Sequence, residues 1–321
     1  MDRSRTTETP AAQASRQQAV QLDRYVTTLG KHLRQRYGVR VRKLSLHAGF
    51  SCPNRDGTLG RGGCSFCSVR SFSHADPHQA ISAQLSQRKA EIKRAARYLA
   101  YFQAYTSTYA EIEDLRRLYD EATTQADIIG LCIGTRPDCV PDGVLEMLAE
   151  YRQRGLEVWL ELGLQSADDA TLARINRGHG FAAYADAVER ARRHHVPVCA
   201  HLIVGLPGEA AAASLATHRR VLELGVEGIK LHPLMIVKGS PLAADHSRHG
   251  VPILTLDEYA ATAAELIRRT PADVVFHRIS ATSRTPTLIA PHWCYTSWPA
   301  NNAICRDLEL NGAQGSRLSQ L

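Results

Sequence analysis

Three cysteines near the start of the chain have the type and spacing of ligands for a metal cofactor. Eleven residues separate Cys52 from Cys64, and only Ser65 and Phe66 separate Cys64 from Cys67. Three thiolates that hold three irons of a cubane [4Fe-4S] cluster leave the fourth iron free to bind a small molecule. The glycines of this segment would let the backbone wrap around a cluster, and Phe66 is placed to cover it or a ligand beside it.

The same cysteines are also compatible with a structural zinc site. A histidine nearby in the sequence, His74 or His78, would complete a closed tetrahedron of three cysteines and one histidine. The spacing alone therefore leaves two kinds of metal centre open.

Composition predicts a globular protein with one large core. The chain has 321 residues, of which 44% are hydrophobic and 22% charged. No apolar run approaches the roughly 20 residues of a membrane span, and the polar start lacks the apolar core of a secretory signal. We therefore expect a cytoplasmic protein with no membrane partner, in which cysteines stay reduced.

Short apolar segments alternate with longer segments of helical pattern. This order predicts an α/β fold in which parallel strands and right-handed crossovers make a partial (β/α)6 TIM-like barrel. The predicted strands are residues 41–47, 98–104, 127–134, 157–165, 196–205 and 228–237. Catalytic groups of such barrels gather at the carboxyl ends of the strands, and the three cysteines directly follow the first strand.

We divide the chain into four parts. Residues 1–17 are predicted to be a disordered leader and residues 18–40 a basic amphipathic helix. Residues 41–240 form the barrel. Residues 241–321 form a C-terminal extension, which includes a strand-like segment at 273–280.

Positive charge is concentrated at the start of the chain. Residues 1–43 contain ten basic and three acidic side chains, and their net charge of +7 equals that of the whole chain. Five of the basic residues lie close to the first strand: Arg34, Arg36, Arg40, Arg42 and Lys43. They could hold a phosphate backbone or simply face solvent.

Seven segments, which together cover about residues 40–300, resemble one known family. They are GFSCPNRDGTLGRGGCSFCS, YFQAYTSTYA, IGTRPDCV, ELGLQS, HLIVGLPGE, KLHPL and APHW. The set resembles the radical S-adenosylmethionine (SAM) enzymes, and within them the YhcC-like group of iron-sulfur proteins. The same core is similar to the catalytic subunit of Elongator and to oxygen-independent coproporphyrinogen oxidase.

The resemblance implies an enzyme with a [4Fe-4S] cluster and SAM as cofactors. Cys52, Cys64 and Cys67 would be the metal ligands. An electron from a donor such as flavodoxin or ferredoxin would cleave SAM to a 5′-deoxyadenosyl radical, which abstracts hydrogen from the substrate. Whether the enzyme counts as an oxidoreductase or a transferase depends on that substrate.

The resemblance also implies cofactor-binding residues. Gln165 and Arg177 match positions that contact SAM in the coproporphyrinogen oxidase, although both could instead be surface groups. Gln103 and Thr106 follow strand two, where relatives hold the SAM amino group. His201 falls where the same relative carries an acidic SAM contact.

The segment after the third predicted strand is a further candidate. Arg136 and Asp138 either belong to the site or only form a turn in which Pro137 ends the strand. Cys139 is a candidate catalytic residue, as a hydrogen donor or reactive thiol.

The substrate divides the remaining hypotheses. A tRNA fits the basic N-terminal segment and the resemblance to Elongator. A small metabolite fits the balanced charge of residues 44–321 and the absence of a recognisable RNA-binding domain. A zinc-stabilised RNA-binding module without catalysis is the third possibility.

Overall fold

The computed structural model describes residues 21–68, 76–92 and 95–318. Seven parallel strands form one curled sheet in the order β1-β2-β3-β4-β5-β6-β8. The strands of the sheet are β1 (Val41–Leu46), β2 (Arg97–Phe102), β3 (Ile128–Thr135), β4 (Glu157–Gln165), β5 (Val198–Val204), β6 (Gly228–Pro233) and β8 (Val275–Arg278). The predicted α/β partial barrel is thus confirmed.

Sequence patterning explains why these strands form the interior layer. All eight residues of β3 are buried, and so are all but the last of the nine in β4. Strands covered on both faces need such continuous apolar runs, because helices pack on one face and the barrel interior lies on the other.

Helices connect the strands or flank the sheet. They are α1 (Leu29–Tyr37), α2 (Pro53–Asp56), α3 (Ile81–Ala90), α4 (Ile112–Thr123), α5 (Asp142–Gln153), α6 (Asp169–Arg174), α7 (Phe181–Arg193), α8 (Ala211–Glu223), α9 (Pro241–His249), α10 (Leu256–Arg268) and α11 (Trp298–Asn311). β7 (Ile236–Val237) and β9 (Leu288–Ala290) form a second, two-stranded antiparallel sheet. Among the described residues, no helix is both long and apolar enough to span a membrane.

The seventh strand comes from the segment that the sequence assigned to an extension. β8 pairs with β6 and so extends the expected six-stranded sheet by one. Residues Thr27 and Thr28 run along this strand, where the Phe276 amide donates to the Thr27 carbonyl. The N-terminal segment therefore covers backbone groups that an edge strand would leave exposed.

The N-terminal helix differs from its prediction. It is not continuous over residues 18–40, because the helical residues 21–25 end before Thr28, whose side chain accepts from Lys31 N and starts α1. Leu29 and Leu33 of α1 pack with residues from the first halves of the strands, including Val41 and Trp159. The helix thus closes the amino end of the barrel. The leader 1–17 lies outside the described residues.

Candidate active site at the carboxyl ends of the strands

The three cysteines line one cavity at the carboxyl ends of the barrel strands. β1 leads into the loop that carries them, and α2 starts directly after Cys52. The Gly63 amide donates to the Asn54 carbonyl over 2.8 Å, and the Ser65 amide donates to the Ile175 carbonyl over 2.9 Å. These bonds fix the loop on itself and against the segment after α6.

Two side chains reach the sulfur of Cys64. Arg177 Nη1 lies 3.4 Å from the sulfur and Asn54 Nδ2 lies 3.7 Å from it. Asn54 also donates to the Asn176 carbonyl over 2.6 Å, and its Oδ1 is buried without a partner among the described residues. These two contacts fix the position of the Cys64 sulfur between α2 and the segment after α6.

Arg136 lines the cavity and braces this arrangement. Its Nε and Nη2 donate to the two oxygens of Asp138 over 2.9 and 2.7 Å, and its Nη1 donates to the Arg177 carbonyl over 2.9 Å. A turn does form at Pro137–Cys139, and the two charged side chains hold the backbone of Arg177.

Gln165 is placed by an unusual backbone. Its φ of 82° lies in the left-handed region, which is costly for a residue with a side chain. A Cβ added to Gly163 would lie 2.9 Å from both Gln165 Nε2 and Arg177 Nη2. The absence of a side chain at Gly163 therefore lets these two groups meet over the strand, and Arg177 is buried rather than on the surface.

The remaining predicted cofactor residues also line the cavity. Phe66, Gln103 and Thr106 are among them. Gln103 Oε1 accepts from Ser45 over 3.3 Å, whereas Thr106 Oγ1 is buried without a partner among the described residues. An unpaired buried hydroxyl at a cavity wall is available to a ligand.

His201 is held by a carboxylate that the sequence analysis did not single out. Its Nε2 lies 2.7 Å from Oε2 of Glu161, and burial lowers the pKa of His201 to about 3. The ring is therefore neutral at pH 7 and donates to Glu161, which leaves Nδ1 as an acceptor.

Glu161 is the centre of a polar cluster inside the barrel. Its side chain is 0% exposed, and it pairs with Lys43, with Lys230 over 3.0 Å and with His277 Nδ1 over 3.0 Å. Despite burial, which acts in the opposite direction, the two lysines hold the pKa of Glu161 well below its usual value. Burial lowers the pKa of Lys230 to about 8, and its Nζ donates to the Tyr101 hydroxyl over 2.6 Å.

Cys139 does not line the cavity, and burial raises the pKa of its thiol to about 12. Cys132 and Cys199 are 0% exposed within strands and pack in the core. A neutral thiol outside the cavity gives no support to the predicted hydrogen donor.

The arrangement of the cysteines distinguishes between the two kinds of metal centre. Within residues 21–68, 76–92 and 95–318, no three His, Cys, Asp or Glu side chains are arranged to hold a single metal ion. His78 is exposed, and His74 lies outside the described residues. Three thiols that line one cavity, with Arg177 and Asn54 at Cys64, fit a cluster whose irons each take a separate thiolate.

Sequence reasoning missed most of the polar interior. Asn54, Tyr101, Glu161, Lys230 and Arg278 had no assigned role. The available signal was charge within apolar strands: Glu161 lies in EVWLELGLQ and Lys230 in GIKLHPL, where strand packing alone favours apolar residues.

Comparison with known proteins identifies the family. Residues 56–221 match the model of the radical SAM superfamily, and residues 226–309 match the radical SAM C-terminal domain. The chain is 55% identical over 302 residues to the Escherichia coli protein YhcC, which covers 94% of this chain and 98% of that protein. It is 33% identical over 123 residues to the tRNA uridine(34) acetyltransferase of Dehalococcoides mccartyi, covering 37% of this chain and 26% of the relative.

A solved structure shares the fold. The structure of Elp3 from the archaeon Methanocaldococcus infernus superposes with a TM-score of 0.60 at 16% identity, covering 85% of this chain and 64% of the other. The chain therefore belongs to the radical SAM superfamily of enzymes, whose cofactors are a [4Fe-4S] cluster and S-adenosylmethionine.

Proposed function

We propose that this protein cleaves SAM reductively and removes a hydrogen atom from a small substrate that enters at the carboxyl ends of the strands. The observation that carries the proposal is the meeting of Cys52, Cys64 and Cys67 in the same cavity as Gln165 and Arg177. When bound, the cofactors supply a 5′-deoxyadenosyl radical.

The residues of the loop hold the cofactors in this proposal. Cys52, Cys64 and Cys67 are the cluster ligands, and Arg177 offsets the negative charge of the sulfurs through Cys64. The carbonyl of Gly163 accepts from Nε of Arg177 over 3.2 Å and from its Nη2, so the guanidinium has a fixed orientation. Arg136 acts as a positioning residue, since its donors are used by Asp138 and the Arg177 carbonyl.

The other cavity residues orient SAM. Gln165, Gln103 and Thr106 offer polar groups along the ends of β4 and β2, and Phe66 provides an apolar surface beside Cys64 and Cys67. Nδ1 of His201 is an acceptor on the cavity wall. Together these groups would bind the amino, carboxylate and nucleoside parts of SAM and exclude water from the reacting atoms.

A small metabolite is favoured over tRNA by the position of the basic segment. α1 lies at the amino end of the barrel, whereas the cysteine loop lies at the carboxyl end, about 20 Å away along six strand residues. Lys43 points into the interior, where it pairs with Glu161 instead of remaining available to a phosphate.

A tRNA substrate remains the second candidate, and two observations favour it. Over 123 residues, the chain is similar to a relative that is named tRNA uridine(34) acetyltransferase. Burial and the nearby charges of Arg40 and Arg34 lower the pKa of Arg42, which supports a local concentration of positive charge in this segment.

The test is formation of 5′-deoxyadenosine by the anaerobically reconstituted full-length protein with dithionite and SAM. We expect slow formation without substrate, and none with Cys64→Ala. Cys305→Ala is the matched control, because Cys305 is equally buried but lies in α11, away from the cavity lining. Equal product from Cys64→Ala and wild type, or none from wild type with a full cluster, would refute the proposal.

A further inference from the structure

The cavity contains more positive charge than its protein contacts use. Among the described residues that line it, five are basic and one is acidic: Arg55, Arg136, Arg177, Lys230 and Arg278, against Glu161. Buried charges without a partner are costly, so each cation should have an identifiable counterpart.

Four of these cations have protein partners. Arg55 donates to the Cys67 carbonyl over 2.9 Å, and Arg136 pairs with Asp138. Arg177 donates to the Gly163 carbonyl and contacts Cys64, and Lys230 pairs with Glu161.

Arg278 is the exception. Its guanidinium has no hydrogen bond or ion pair with any residue in the described part of the chain, and its Nε is buried without a partner. Glu161 already binds Lys43, Lys230, His201 and His277. The single carboxylate of the cavity is therefore saturated before Arg278 is considered.

A backbone irregularity turns Arg278 toward this cavity. Val275 packs inside the barrel with Trp159, Phe276 packs outside, and His277 is inside beside Glu161. Strict alternation would place Arg278 outside, but the register of β8 against β6 shifts so that Arg278 lies opposite Lys230. Irregularities of this kind commonly re-aim a side chain next to an active site.

Two cations on neighbouring strands thus lie at the same level of the barrel. Lys230 and Arg278 are register partners, and both line the cavity. Like charges directly opposite are unfavourable, and burial lowers the pKa of both groups. An oxyanion between them would relieve the repulsion and satisfy the donors of Arg278.

We propose that Arg278, beside Lys230, binds an oxyanion of the substrate, either a carboxylate or a phosphate. A guanidinium binds both groups through paired hydrogen bonds. This proposal rests on the proposed function, because the bound oxyanion would hold the substrate with its reacting carbon toward the cysteine loop. The substrate class is then a small acid or phosphate ester.

The test uses full-length protein with its cluster, saturated with SAM and without reductant. Equilibrium dialysis measures binding of radiolabelled inorganic phosphate and, separately, of labelled succinate. We expect at least one of these probes to bind wild type, and the preferred probe identifies phosphate or carboxylate. Arg278→Gln should bind it about tenfold more weakly or worse, since a charged hydrogen-bond partner is lost.

Arg284→Gln is the matched control, because Arg284 is exposed after the same strand and does not line the cavity. It should bind the probes like wild type. A second measurement needs no variant: phenylglyoxal modification of Arg278, followed by peptide mass spectrometry, should be slowed by the probe that binds.

Three results would overturn the proposal: no binding of either probe, equal binding by Arg278→Gln and wild type, or protection of Arg278 by SAM alone. The last result would assign Arg278 to the SAM carboxylate. Failure of wild type to form 5′-deoxyadenosine would instead refute the proposed function, since dialysis does not depend on that reaction.

Discussion

Replacement of Glu161 by glutamine tests the electrostatics of the barrel interior with little change in shape. The carboxylate is 0% exposed, 3.0 Å from Lys230 Nζ, and also paired with Lys43. One ion pair at about 3 Å is worth about 5 kcal/mol at an effective dielectric constant of 20, before desolvation. Because Glu161→Gln leaves two lysines without a counter-charge, we expect the free energy of unfolding to fall by about 3–5 kcal/mol.

Urea unfolding of the cluster-free full-length protein under reducing conditions measures this loss. Glu150→Gln is the control, since Glu150 pairs with Arg116 at 2.6 Å but both side chains are 40% or more exposed. A surface pair of this kind contributes about 1 kcal/mol or less. If the two variants lose the same stability, the interior cluster is not a set of buried ion pairs and the reasoning is wrong.

The pH dependence of the free energy of unfolding provides an independent check on Glu161. The folded-state pKa of Glu161 lies well below its ordinary value of 4.5. A lowered folded pKa gives stability that is fully present above the unfolded pKa and is lost as pH falls through the folded pKa. The contribution of this carboxylate to the stability difference between wild type and Glu161→Gln should therefore be fully present above about pH 4.5 and be lost as the pH falls below that value. A difference that shrinks between pH 8 and 6 would contradict the assignment.

Three further predictions concern the cofactors and the basic segment. Reconstituted wild type should hold about four irons per chain. Alanine at Cys52, Cys64 or Cys67 should abolish the iron content, whereas Cys294→Ala should preserve it. Protein isolated from cells with stoichiometric zinc and no iron would show that the cluster assignment is wrong. Gly163→Ala and Arg177→Ala should keep the cluster but weaken SAM binding, measured by equilibrium dialysis, by about 1–3 kcal/mol. Gly163→Ala displaces Arg177 and Gln165, and Arg177→Ala removes a buried donor. An unchanged SAM affinity in both variants would show that these residues do not belong to the SAM site. A variant in which Arg34, Arg36, Arg40 and Arg42 are all neutralised should cleave SAM like wild type; Lys43 is kept because it is interior. If tRNA is the substrate, the loss of each phosphate-binding side chain should lower the log-log salt slope of tRNA binding by about 0.7–0.9. A tRNA affinity and salt slope equal to those of wild type would show that this segment only faces solvent.

The sequence by itself determined the strands and the cysteine loop. Residues 157–165 are mostly apolar, a composition that favours a strand covered on both faces, and the observed β4 has the same bounds. The segment with Cys52, Cys64 and Cys67 directly follows β1 in the sequence, so the order of the chain alone placed these cysteines at the carboxyl end of the strand. These features depend on short stretches of chain, in which periodicity carries the information.

The tertiary structure decided which polar groups meet. Glu161 and Lys43 are 118 positions apart, and Glu161 and His277 are 116 apart, so no local pattern could pair them. The break in the N-terminal helix at Thr28 and the packing of α1 under the barrel depend on β8, where Phe276 is the bridge partner of Thr28 although the two are far apart in the sequence. The direction of Arg278 depends on one shift in register between β6 and β8. Only closure of the barrel brings these charges together, because burial and pairing are properties of neighbours in space rather than in sequence.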